Sequence, residues 1–125
     1  TGKPLFVDIT GHGCVNCREM EQRVWSDPRV LDILRNDYIV VALYVDDKMD
    51  LAEADYLTTP DGKTLKQLGR KNSYIVQSRF GVNAQPAYVL LSPEDEELMP
   101  VRGYDLDVDG FVTFLEGGLA KMRER

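Results

Sequence analysis

A chain of 125 residues, 43% hydrophobic and 29% charged, is long enough to build one core and too apolar for a disordered segment. Its net charge of −6 and scattered lysines and arginines argue against a phosphate-binding face, so no nucleic-acid partner is expected. The longest apolar run, Tyr38 to Val45, falls well short of the about 20 residues that a bilayer-crossing helix needs.

Leu5 to Thr10 reads as a buried strand, apolar except for Asp8. Gly11-His12-Gly13 breaks it, and a helix is expected from near Cys14 through Glu19, Met20 and Val24 to about Trp25. Pro28 disfavours the α conformation at Asp27, so a second helix begins with Asp27 as cap and Pro28 at its first position. Val30, Ile33 and Leu34 form its inner face at helical spacing. Tyr38 to Val45 is a near-continuous β-branched run, the pattern of a strand covered on both faces.

Residues 46–72 are polar and charged, with a Thr59-Pro60-Asp61-Gly62 turn signal, and read as an excursion from the core with room for a small hairpin. A short helix over Ser73 to Phe80 is ended by Gly81. Ala87 to Leu91 and Leu98 to Arg102 read as strands joined by the acidic turn 92–96. The last helix is capped by Asp107 and turns Val108, Phe111, Leu115, Leu119 and Met122 inward. The first two strands should run parallel through a right-handed crossover, and the last two antiparallel. The expected fold class is therefore α/β: one domain over 1–125, with a four-stranded mixed sheet (two parallel, two antiparallel strands) between helices. No signal-peptide pattern opens the chain, whose abrupt start at Thr1-Gly2 suits an excised domain.

The two cysteines lie three apart, in Cys14-Val15-Asn16-Cys17. A disulfide scaffold would use more cysteines at wider spacing, so one close pair points to chemistry. Residues three apart on a helix are neighbours, and their sulfurs can bond without large backbone movement. Cys14 would sit at the helix N-terminus, where free N–H groups and the dipole favour a thiolate and lower its pKa. Cys17, a turn deeper, would resolve the mixed disulfide that Cys14 forms. A structural zinc site wants four ligands, and here there are one pair and the single histidine, His12. A soft ion held by His12, Cys14 and Cys17 remains an alternative, although His12 fits better on the loop beside the thiols. Arg18 after the second cysteine excludes a c-type haem motif. No cofactor is expected beyond the Cys14–Cys17 disulfide itself.

Asp8, six residues before Cys14, and Gln85-Pro86, directly before a strand, resemble the thioredoxin-like proteins. A narrower likeness covers Lys3-Pro4, Val7-Asp8, Cys14 through Glu19, Glu21 and Ser26-Asp27-Pro28-Arg29-Val30, and continues in Phe80-Gly81-Val82, Pro86 and Gly103. These segments resemble the C-terminal thioredoxin-like domain of the bacterial thiol:disulfide interchange protein DsbD family. The resemblance implies an acid buried behind the cysteines at Asp8, a second tuning acid at Glu21, and a cis Gln85–Pro86 bond facing the thiols. It also implies a periplasmic domain, tethered to the inner membrane through a larger protein. Such a domain takes electrons from a membrane-embedded donor and passes them to other thiol/disulfide proteins. Gly13 departs from the family, which often places an aromatic residue before the first cysteine; a smaller, more flexible rim should follow.

The residues themselves support the acids. A carboxyl inside an apolar strand should be raised by desolvation and so could carry a proton for Cys17, whereas a strand-end carboxylate satisfied by backbone amides is the structural alternative for Asp8. Glu21 shares a helix face with Cys17 and could equally be a solvated residue. Gly13, Gln85 and Pro86 are expected to form the edge against which a partner chain docks, by hydrogen bonds in the manner of strand addition. A monomer is expected. Val15-Asn16 places no His or Pro beside the thiols, which favours a reducing relay over an oxidase or isomerase, and a non-enzymatic metal-binding or interaction module stands as the reading from another class.

Overall fold

The computed structural model describes residues 2–124; Thr1 and Arg125, the ends of the expected 1–125 domain, lie outside the described residues. Strand β1 (Leu5–Thr10) is the centre of a three-stranded sheet in the order β2-β1-β5. It pairs in parallel with β2 (Ile39–Tyr44), from Leu5 opposite Ile39 to Thr10 opposite Tyr44. On its other side it runs antiparallel to β5 (Ala87–Leu91), from Leu5 opposite Leu91 to Ile9 opposite Ala87.

Strand alternation sorts the side chains into two cores. Phe6, Tyr88 and Leu90 face α1 (Val15–Met20), α2 (Pro28–Asp37) and α4 (Val108–Arg123), packing with Met20, Val24, Val30, Leu34, Phe111 and Leu115. Val7, Ile9, Val89 and Leu91 face α3 (Leu68–Phe80), packing with Val76 and Phe80. Helix α1 continues into one π-type turn, Glu21–Trp25, and the Ser26 hydroxyl closes the segment by donating to the Gln22 carbonyl at 2.6 Å. As the sequence predicts, Asp27 caps α2, its carboxylate accepting the Arg29 N–H at 2.9 Å, and Gly81 ends α3 in the left-handed region at φ 69°.

Three expectations are corrected. The sheet has three strands rather than four: Leu98–Arg102 forms only isolated bridges, with Arg102 opposite Tyr88 and Glu97 opposite Leu91. Leu98 N–H reaches the Leu90 carbonyl, and the next ladder bonds form only at Tyr88–Arg102. Residues 99–101 therefore bulge out, and Pro100 among them has no N–H to offer. Strand β2 is not covered on both faces, because it is the sheet's edge; Ile39 and Val40 stay 40% and 45% exposed. Helix α3 starts at Leu68, a turn and more before Ser73. Of the polar segment 46–72, residues 57–65 carry a hairpin, β3 (Leu57–Thr58) paired with β4 (Thr64–Leu65) around Gly62 at φ 91°. Residues 68–72 belong to α3, where Gly69 and Asn72 are buried.

Candidate active site

The loop leaving the C-terminal end of β1 delivers Cys14 to the N-cap of α1, with extended backbone at φ −88° and ψ 105°. Its sulfur accepts the Cys17 N–H at 3.1 Å, so one of the helix's free amides points at Sγ. Cys14 and Cys17 are joined in a disulfide with Cα atoms 5.2 Å apart. Cys14 is half-buried and Cys17 is 2% exposed, the asymmetry expected of an attacking and a resolving thiol. Cys17, Met20 and Val24 line the buried side of the helix because they follow one another at helical spacing.

Asp8 lies beneath that helix. It alternates with Phe6 and Thr10 on the sheet face that α1 covers, it is paired with Tyr88 across the ladder, and it is only 5% exposed. Burial, reinforced by the negative charge of Glu21 and opposed by Arg18, pushes its carboxyl up to about 7. The protonation change of this acid thus falls near neutral pH. Glu21 itself is half-exposed one turn beyond Cys17, ion-paired with Arg18 at 3.2 Å. Arg18 entered the sequence reading only within the family likeness and as an obstacle to haem, with no role of its own. Its guanidinium reaches the Thr10 hydroxyl at 2.9 Å and the Gly11 carbonyl at 3.2 Å, tying the helix to the end of β1.

The Gln85–Pro86 bond is cis. Extending the β1–β5 register by one residue sets Pro86 across from Thr10, at the strand end from which the cysteine loop departs, and on the sheet face of Asp8. Pro86 is buried and Gln85 exposed. Gly13 is exposed and donates its N–H to Asp46 at 3.0 Å. His12 lies on the loop beside the thiols, but its ring turns to Asp47, 3.1 Å from Nε2, and stacks on Tyr44 with centroids 4.1 Å apart. Asp8, Glu21, Cys14, Cys17 and Gly13 are thus gathered around one short helix, while Pro86 stands just before β5. Gln85 lines a small cavity with Ile9, Val45 and Val76 on the α3 side of the sheet.

Sequence reasoning missed Asp46, although a signal existed. Parallel neighbours β1 and β2 end side by side, so the residues after each strand must meet, and Asp46-Asp47 follows β2 as Gly11–Gly13 follows β1. A groove of about 560 Å³ opens between the hairpin and α3, lined in part by Lys63, Arg70 and Tyr74, and it meets the site only through Asp46 and Asp47.

Solved structures share this architecture. The DsbH oxidoreductase superposes with a TM-score of 0.68 at 16% identity, over 95% of this chain and 74% of that one. A thioredoxin from Thermus thermophilus gives 0.67 at 23% identity, over 97% of this chain and 77% of its own. The C-terminal domain of Neisseria meningitidis DsbD in the reduced form gives 0.59 at 14% identity, over 93% and 81%. No curated protein sequence matches the chain. A sequence profile described as thioredoxin-like matches residues 1–93, which contain the cysteine pair, Asp8, the cis proline and the whole three-stranded sheet. With most of its length and all of these elements inside that match, the chain belongs to the thioredoxin-like family.

Proposed function

We propose that this domain is a thiol–disulfide oxidoreductase that relays reducing equivalents through Cys14 and Cys17 to partner proteins. The observation that carries the reading is the pairing of a half-buried, helix-capping Cys14 with a buried Cys17 above a buried acid whose pKa lies near neutrality. In the reduced state the Cys14 thiolate attacks one sulfur of a partner disulfide, which breaks and leaves as a thiolate while a mixed disulfide forms. Cys17, surrendering its proton to the carboxylate of Asp8, then attacks the Cys14 sulfur. The partner leaves with two thiols, and the Cys14–Cys17 disulfide holds the two-electron deficit until a donor dithiol reverses the sequence. No other cofactor is needed. Glu21 adds charge that keeps Asp8 a ready proton acceptor site, and Gly13, Gln85 and Pro86 border the approach to Cys14.

The sequence likeness from Lys3 to Val30 supports a narrower assignment. In it the domain is a monomeric periplasmic module of a membrane-bound interchange protein, supplied by a membrane-embedded donor. A second reading, an oxidase, draws support from the Cys17 amide and helix start that favour the Cys14 thiolate, because stabilising the reduced form makes the pair more oxidising. Equilibration with glutathione separates the two: a potential near about −270 mV identifies a reductant and one near about −120 mV an oxidant. Alkylation of the reduced protein should label Cys14 before Cys17. Failure to exchange with glutathione at all, or labelling of Cys17 first, would overturn the proposal.

A further inference from the structure

Asp46 and Asp47 open the 46–72 excursion and take no part in the exchange steps above. The Asp46 carboxylate nevertheless spans two consecutive amides of the redox loop: Oδ1 accepts the His12 N–H at 2.8 Å and Oδ2 the Gly13 N–H at 3.0 Å. Gly13 directly precedes Cys14. A Cβ on Gly11 would stand 3.1 Å from Oδ2, so the carboxylate lies against the whole 11–13 loop. Asp47 holds the His12 ring. Behind this turn sits the start of α3. Gly69 N–H donates to the Asp47 carbonyl at 2.8 Å, and Asn72 Nδ2 donates to the Tyr44 carbonyl at 3.0 Å. A continuous set of contacts therefore runs from α3, through the turn after β2, to the residue before the nucleophile.

We propose that Asp46 is a positioning residue of the dithiol site, occupying the His12 and Gly13 amides and fixing a negative charge beside Cys14, so that the excursion is part of the redox machinery. The proposal deepens the exchange function and rests on it. Amides engaged by a carboxylate cannot solvate a thiolate, and the adjacent charge repels one. Both effects oppose the pull of the helix start and favour the disulfide. The charged groups around the pair are Asp8 on β1, His12 on the loop, Arg18, Glu19 and Glu21 on the helix, and Asp46 and Asp47 after β2. Tyr104 donates to Glu19 from the segment before α4, and Gln85–Pro86 brings no charge. Those two amides also hold the Asp46 carboxyl below the usual carboxylate range, so its charge is present throughout the range in which the thiols titrate.

The test is the pH dependence of Cys14 alkylation by iodoacetamide in the reduced protein, with the glutathione equilibrium measured alongside. Asp46→Asn keeps the shape and removes the charge. It should lower the apparent Cys14 pKa by roughly half a unit, a threefold change, and raise the potential by up to about 15 mV. Asp46→Glu retains the charge and should restore the wild-type pKa. Asp46→Ser, which keeps one acceptor without charge, gives the same reading should Asp46→Asn fail to fold. An uncharged variant with the wild-type thiol pKa and potential, whatever its melting temperature, would show that Asp46 only braces the loop and would overturn the proposal. Alkylation needs no exchange partner. A wild-type protein that reacts with iodoacetamide but not with glutathione would therefore sink the oxidoreductase reading alone.

Discussion

At the scale of single residues, the least ordinary group is Asp8. An aspartate in an unfolded chain titrates near about 3.9, whereas burial lifts Asp8 to about 7. The folded state thus holds the proton more tightly than the unfolded one. The stability tied to this group is fully present below about pH 4 and is lost as pH rises through about 7, an effect on the order of 4 kcal/mol. Asp8→Asn should stabilise the oxidised protein at pH 8, change it little at pH 4, and flatten the slope between, as urea unfolding at the two pH values would show. A parallel shift at both would mean that the carboxyl does not titrate in this window. Above pH 7 the same substitution removes a negative charge beneath Cys17 and should lower the apparent thiol pKa. This residue was legible in the sequence because a lone acid interrupts an otherwise apolar strand. Arg18 was not, since its partners are the Thr10 hydroxyl and the Gly11 carbonyl and it falls on no apolar pattern. Asp46 could be reached only through the parallel pairing of β1 with β2, which brings it to a backbone amide 34 residues away.

At the scale of elements, periodicity found the helices that bury a stripe and shortened the one that does not. Helix α3 begins with Leu68-Gly69-Arg70-Lys71-Asn72, whose buried members are Gly69 and Asn72 rather than large apolar residues. What holds its first turn is close backbone approach: a Cβ on Gly69 would come within 2.6–2.8 Å of the Val45 and Asp47 backbone. Hydrophobic spacing carries no trace of such a contact. Gly69→Ala should push α3 off the turn after β2, with a loss of about 1–3 kcal/mol that thermal or urea unfolding would register. An unchanged midpoint would show that the turn yields freely. The bulge at residues 99–101 escaped for a related reason. Leu98 to Arg102 is a short apolar run of strand length ended by an arginine, and only the missing N–H of Pro100 hinted that the ladder would break.

At the scale of the whole molecule, chain order was enough to give the parallel pairing of β1 with β2, since a helical crossover allows one arrangement. The expected antiparallel partner of β5 across the acidic turn forms only isolated bridges, and the antiparallel ladder runs between β5 and β1. Nor did chain order reveal which strand would lie outermost. The β-branched composition of residues 38–45 suits any strand, and only the set of neighbours decides how much of it stays exposed. The two faces of the sheet also differ in kind. The α3 side is aliphatic apart from Phe80, while the opposite side collects Phe6, Trp25, Tyr38, Tyr88, Phe111 and Phe114. Trp25 is the chain's single tryptophan, edge-on to Phe6 at 5.6 Å and 6.0 Å from the Tyr88 ring. Eight residues of helix separate it from Cys17, roughly 12 Å along the axis. The protein therefore carries its own optical reporter, placed inside the aromatic core but out of contact with the sulfurs. Reducing the disulfide should leave the emission maximum of Trp25 nearly unmoved, whereas unfolding should shift it to the red and end energy transfer from Tyr88. A large emission change on reduction alone would mean that the redox state reorganises the core. Without it, one fluorescence channel follows folding while alkylation follows the thiols, and the two equilibria can be measured separately in one sample.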